Sequence, residues 1–203
     1  KVSVNGTVYE DADVYAFVKN NGGKVAVYKE NLYKPMPGYR FIASNTDRSR
    51  YYVGELNGKS SKQAYMDALH ISESNIINQT FHNPLGKMNG QDICIISLKE
   101  VSGNGLCCYR QVNDSDVLVL LEEQDYNEIL DETLQRIRRD FNHISGVFSI
   151  NCVFRYLLFS QEHHMEDYLK TMSTLGEHAG LIGFGEHYNQ QFVNQTMTCV
   201  VFE

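Results

Sequence analysis

The chain has 203 residues, with 42% apolar and 21% charged side chains and a net charge of −7. Those values fit a globular protein of one large or two small domains and exclude wholesale disorder. The basic residues are scattered except for Arg136, Arg138 and Arg139, so no footprint for nucleic acid is expected.

The absence of any run of about 18 apolar residues and of a signal-peptide pattern predicts a soluble chain without membrane contact. It opens on Lys1-Val2-Ser3-Val4 without an initiator methionine, which reads as a piece of a longer protein. Five cysteines, Cys94, Cys107, Cys108, Cys152 and Cys199, show no CxxC spacing, and reduced thiols in a cytoplasmic protein are expected.

Taken in order, Asp13 to Val18 and Lys24 to Tyr28 flank Asn20-Asn21-Gly22-Gly23. Asn and Gly tolerate the positive φ of tight turns, so the spacing predicts a β-hairpin. A loop at Pro35-Met36-Pro37-Gly38 and strands over Tyr39 to Ala43 and Tyr51 to Leu56 follow. Ser60 or Ser61 is placed to cap a short helix that turns Ala64, Tyr65, Ala68 and Leu69 inward. A polar stretch through Asn83-Pro84-Leu85-Gly86 leads to strands over Asp92 to Val101, Leu106 to Val112 and Val117 to Leu121.

The strongest helix is predicted from about Asp125 to Ile144, its apolar residues recurring at three and four. A strand from Gly146 to Leu158 is expected next, then a helix opening at Ser160 and stopped by Gly176. Strands over Gly180 to His187 and Phe192 to Phe202 close the chain. This order predicts an α+β fold of mainly antiparallel sheets with a few helices packed on the outer face.

Three polar clusters sit inside apolar runs near the C-terminus: Cys152 with Arg155, Gly185 with Glu186, and Asn194-Gln195-Thr196. Unpaired polar groups are costly to bury, so these clusters must be paired or face a cavity. On a strand, Cys152 and Arg155 point to opposite faces. Arg155 either pairs with an acid or holds a ligand carboxylate or phosphate as a fork, and Glu186 either ends a strand or stands at a pocket rim. Glu162-His163-His164 has no metal-ligand spacing, so no metal or cofactor is expected. Cys152 would be a nucleophile only if His178 or His187 met it in space.

The run Ser149 to Arg155, the pair Leu175-Gly176, Gly180 to Glu186 and Asn194-Gln195-Thr196 resemble the C-terminal part of the FIST domain. Leu56-Asn57-Gly58 with Tyr65, and Pro84-Leu85-Gly86, are similar to its upstream motifs. Ser60-Ser61 departs from the usual Pro-Ala, and no glycine follows Arg155. The resemblance divides the chain into the end of a FIST N-terminal half, 1–60, and a FIST C domain, 61–203. It implies a non-enzymatic sensory domain of a bacterial, cytoplasmic signal transduction protein, with a chemoreceptor or histidine kinase as output partner. It also implies a small-molecule ligand such as an amino acid, with Cys152, Arg155, Gly185, Glu186, Asn194 and Thr196 as ligand-binding residues. The alternatives are a protein-interaction or homodimerisation module and an enzyme using Cys152.

Overall fold

Asn5 and Gly6, with φ of 51° and 79°, make the turn between β1 (Val2–Val4) and β2 (Thr7–Tyr9), which pair only with each other. The computed structural model describes residues 1–90 and 92–203. The hairpin expected around Asn20–Gly23 is not formed. Residues 12–24 are neither helix nor strand, and Phe17 is 93% exposed. Only the second arm is a strand, β3 (Val25–Asn31), and it pairs instead with a strand more than 160 residues away. β16 takes one edge of β3, and the first arm is not paired to the other.

A single long strand, β4 (Tyr33–Asp47), runs through Pro35-Met36-Pro37-Gly38 rather than looping there. Its partner β11 (Val117–Glu123) matches Pro35 to Leu121 and Arg40 to Val119, so β4 bulges where proline has no donor to give. Next come β5 (Tyr52–Leu56), β6 (Lys59–Ser60) and α1 (Ser61–Leu69). The Ser60 hydroxyl accepts from Gln63 N at 3.3 Å, and Ala64, Tyr65 and Ala68 are buried as expected.

A 3-10 turn (Glu73–Asn75) and α2 (Ile76–Gln79) precede β7 (Leu85–Asn89), a strand the polar composition concealed. The run from Asp92 is two strands, β8 (Asp92–Ile96) and β9 (Leu98–Ser102), broken at Ser97, and β10 (Gly105–Cys108) follows. These strands form an eight-stranded antiparallel sheet in the order β8-β7-β11-β4-β5-β10-β9, with β6 on β5.

Asp125 caps α3 (Tyr126–Asp140), accepting from Asn127 N at 2.8 Å and Glu128 N at 3.2 Å. Leu130, Leu134 and Ile137 are buried, and the helix stops four residues before Ile144 because Phe141 turns extended. β12 (Gly146–Cys152) is shorter than expected. Cys152 is its last residue and caps α4 (Val153–Gln161), so the following apolar run is helix. A short apolar run does not distinguish the two by periodicity.

The helix expected from Ser160 begins later, as α5 (Met165–Ser173), with Tyr168 and Met172 buried and Leu169 exposed. The chain then makes β13 (Glu177–Gly183), β14 (Glu186–Tyr188), β15 (Gln191–Val193) and β16 (Thr196–Phe202). β13, β12, β16 and β3 form a four-stranded sheet in that order. β12 and β13 are parallel, which α4 and α5 make feasible as the crossover. With 44% strand, 24% helix and mostly antiparallel pairing, the fold is α+β.

The helix-covered face of the four-stranded sheet carries one core, including Tyr28, Leu134, Phe159, Tyr168 and Met197. The eight-stranded sheet with α1 carries another, including Tyr65, Leu85 and Leu118. Both sheets draw strands from either side of residue 60. Among the described residues no helix is long and apolar enough to cross a membrane.

Candidate functional site

Alternation along β12 sends Ser149 and Asn151 to the helix-covered face, which they share with Tyr28 and Glu30 of β3 across Cys199 and Met197 of β16. Arg155 reaches the same face from the first turn of α4 and is fully buried. One guanidinium nitrogen pairs with Glu30 Oε1, and the plane lies 4.7 Å from the Phe159 ring and 5.5 Å from that of Tyr168. Asn151 donates to the Tyr168 hydroxyl at 2.8 Å, and Ser149 Oγ lies 2.9 Å from His178 Nε2. Cys152 and Arg155 were expected on opposite faces of one strand; they do lie on opposite faces and both are buried, but Arg155 belongs to a helix rather than to the strand.

Cys152, Glu186 and Thr196 belong to the opposite face. A Cβ at Gly183 would stand 3.0 Å from Glu186 Oε1 and 3.1 Å from Ile150, and Ile150 points away from the helices by its parity with Asn151. The Cys152 thiol faces the Glu186 carboxyl, and burial first, then that carboxyl, pushes the thiol up to about 11. Glu186 is 2% exposed, and neither of its oxygens has a partner in hydrogen-bonding geometry among the described residues; Thr196 Oγ1 has none either. A Cβ on Gly185 would meet the Phe192 ring at 2.8 Å, which keeps that position bare. Asn194 is buried between β15 and β16.

The six residues selected from the sequence are therefore two groups on two faces. Arg155 is paired with Glu30 on one face, and Glu186 stands beside Cys152 on the other. Gln195, which the sequence reading left without a role, is fully buried: it accepts from Ser97 Oγ at 3.0 Å and donates to Tyr33 Oη at 3.2 Å and Thr80 O at 3.1 Å.

Burial also pushes the Glu186 carboxyl up from 4.5 to about 7. A raised folded value stabilises fully below the unfolded one, and that contribution is lost as pH rises through the folded one. Stability is thus expected to fall between pH 4.5 and 7 by on the order of 3 kcal/mol from this group. Glu186→Gln should flatten that limb and be more stable than the parent at pH 8, as urea melts at pH 5 and 8 will measure.

A groove of about 680 Å³ lies between β3, α3 and the β14–β15 turn. Tyr28 and Tyr188 flank it. Lys29 Nζ bonds Asp92 Oδ1 at 2.8 Å and Gln191 Oε1 at 3.2 Å, and Gln191 donates to Asp92 Oδ2 at 2.8 Å. The Lys29 hydrogen bond holds the Asp92 carboxyl below its usual range. Arg136 lies 5.6 Å from the Tyr28 ring and donates to Lys29 O at 3.1 Å, with no carboxylate partner among the described residues. A neighbouring cavity of about 450 Å³ includes Arg136, Arg139 and Glu30, so the buried Glu30–Arg155 pair stands behind the groove wall.

None of the six selected residues lines the main groove. Lys29 and Tyr188 are missed because nothing local distinguishes them from ordinary strand-surface residues; Arg136 sits in the one basic cluster noted in the sequence. No group of three or more His, Cys, Asp or Glu among the described residues could hold a metal, and no two cysteines are joined. In comparisons with known proteins, the FIST C domain model matches residues 62–189. No curated protein and no solved structure matches the chain.

Proposed function

The chain belongs to the FIST C domain family, a domain associated with signal transduction, and from that premise we propose that it is a small-molecule-binding sensory domain of a bacterial, cytoplasmic signalling protein. Its ligand is an amino acid or a related small metabolite. The observation that supports this is the groove itself, where a cationic fork, a carboxylate and an amide converge between two tyrosine rings. Arg136 takes the ligand carboxylate in two parallel bonds, while the ammonium group displaces Lys29 Nζ from Asp92 and Gln191. Tyr28 and Tyr188 cover the aliphatic part.

Signalling requires the ligand to prefer one arrangement of α3 against β3 over another, because equal affinity shifts nothing. Glu30 connects that wall to α4 through Arg155. An output domain of chemoreceptor or histidine-kinase type would read the change.

A thermal-shift screen against free amino acids and small anions tests the proposal. A ligand at a hundred times its Kd adds about 2.7 kcal/mol to folding. The expected result is an upward shift for one amino-acid class, lost in Arg136→Ala. No shift with any compound, or an undiminished shift in Arg136→Ala, would contradict it.

A further inference from the structure

β3 ends its sheet, with β16 on one side and, among the described residues, no strand on the other. Glu203 N donates to Lys24 O at 2.9 Å, and this pairing turns the backbone groups of Lys24, Ala26, Tyr28 and Glu30 toward β16. Those of Val25, Val27 and Lys29 consequently face the open edge. Two of these carbonyls are met only by side chains: Arg136 donates to Lys29 O at 3.1 Å and the Tyr188 hydroxyl to Val27 O at 3.5 Å. An open edge beside exposed Val25, Val27 and Phe148 is a template for another strand.

A strand-like segment lies a few residues away. Val14 to Val18 has a β-branched and aromatic composition, and Tyr15, Phe17 and Val18 are 78%, 93% and 74% exposed. The turn joining it to β3 is partly made: Asn20 Nδ2 donates to Gly23 O at 3.3 Å, and Gly23 has a φ of 70°. A two-residue or four-residue loop centred between Asn21 and Gly22 gives the same register. Val18 falls opposite Val25, Ala16 opposite Val27 and Val14 opposite Lys29. Phe17 and Tyr15 then lie on the side of Ala26 and Tyr28, toward α3, and Ala16 and Val14 extend the apolar face of Val25 and Val27.

We propose that the free edge of β3 is a strand-docking surface and that its occupant is Val14–Val18 of the same chain, which adds as a fifth strand. The short connection favours this segment over one from another molecule, because closing a short loop gives an effective concentration in the millimolar range. Docking requires Arg136 and Tyr188 to release the β3 carbonyls. Resting on the groove reading above, the strand and a groove ligand therefore compete for the same edge.

The test is disulfide trapping of Ala16→Cys/Val27→Cys in the full chain under mild oxidation, read by non-reducing electrophoresis and peptide mass mapping. Directly paired Cα atoms lie about 5.5 Å apart, within disulfide reach, whereas diagonal pairs lie about 7–8 Å apart. The expected result is an intramolecular link between positions 16 and 27 that forms at least ten times faster than the link in Ala16→Cys/Val25→Cys. Equal rates would overturn the register and with it the docked strand. A link found only between molecules would assign the edge to a second copy instead.

Hydrogen exchange on the unsubstituted chain gives an independent reading. Val27 and Lys29 amides should exchange slowly and become fast in Phe17→Asp while the β12 and β16 amides stay protected; fast exchange in the parent would overturn the proposal. Neither experiment contains a ligand, so failure of the groove reading leaves both results intact. If both hold, the trapped variant should show no amino-acid thermal shift until it is reduced.

Discussion

Glu30→Ala is expected to destabilise the chain by about 3–5 kcal/mol, the usual consequence of removing one partner of a buried ion pair. Arg155 has no route to water: it is fully buried beneath Phe159 and Tyr168, and its Nε and Nη1 have no other hydrogen-bond partner among the described residues. Removing Glu30 leaves a full charge in that core. Arg155→Ala should cost a similar amount by stranding Glu30 and leaving a cavity. The double variant Glu30→Leu/Arg155→Met should recover most of the loss, because an ion pair replaced by apolar groups of similar volume is often neutral. Urea melts of the four proteins make the comparison, and a double variant as unstable as the singles would show that packing dominates over charge.

Gln195→Ala should have the second largest effect, about 3 kcal/mol, since each buried polar group left unsatisfied costs about 1–3 kcal/mol. Three groups depend on this side chain: Ser97 Oγ, Tyr33 Oη and Thr80 O. The Tyr33 hydroxyl keeps its bond to Phe81 O at 2.6 Å, so the loss falls on Ser97 and Thr80. Ser97 joins β8 to β9 in the large sheet, and Gln195 leads directly into β16 of the small one. The substitution removes a tie between the two sheets as well as a set of bonds. Circular dichroism and tyrosine fluorescence should then give separate midpoints in urea where the parent gives one; a single unchanged midpoint would contradict this role.

Much of the architecture is legible because the signals are local and strong. The stripe from Tyr126 to Ile137 specifies α3, Asp125 caps it, and Ser60 caps α1. The errors fall where distant pairing decides. The pairing of β3 with β16, from the end of the chain, carries no local signal. Val153 to Phe159 has no period that separates helix from strand, so the sequence puts Arg155 on a strand and leaves its partner, an acid or a ligand, open. The structure gives it Glu30, 125 residues away. The groove was illegible for the same reason: Lys29, Asp92, Arg136 and Tyr188 come from four separate elements, and only folding makes them neighbours.

The proposed function places the ligand in the groove between β3 and α3. Hydrogen–deuterium exchange with and without the stabilising amino acid tests it most directly. The expected result is slowed exchange in residues 134–139 of α3 and in the Tyr188–Gln191 turn. Protection centred on Cys152 and Glu186, with the groove unchanged, would contradict it.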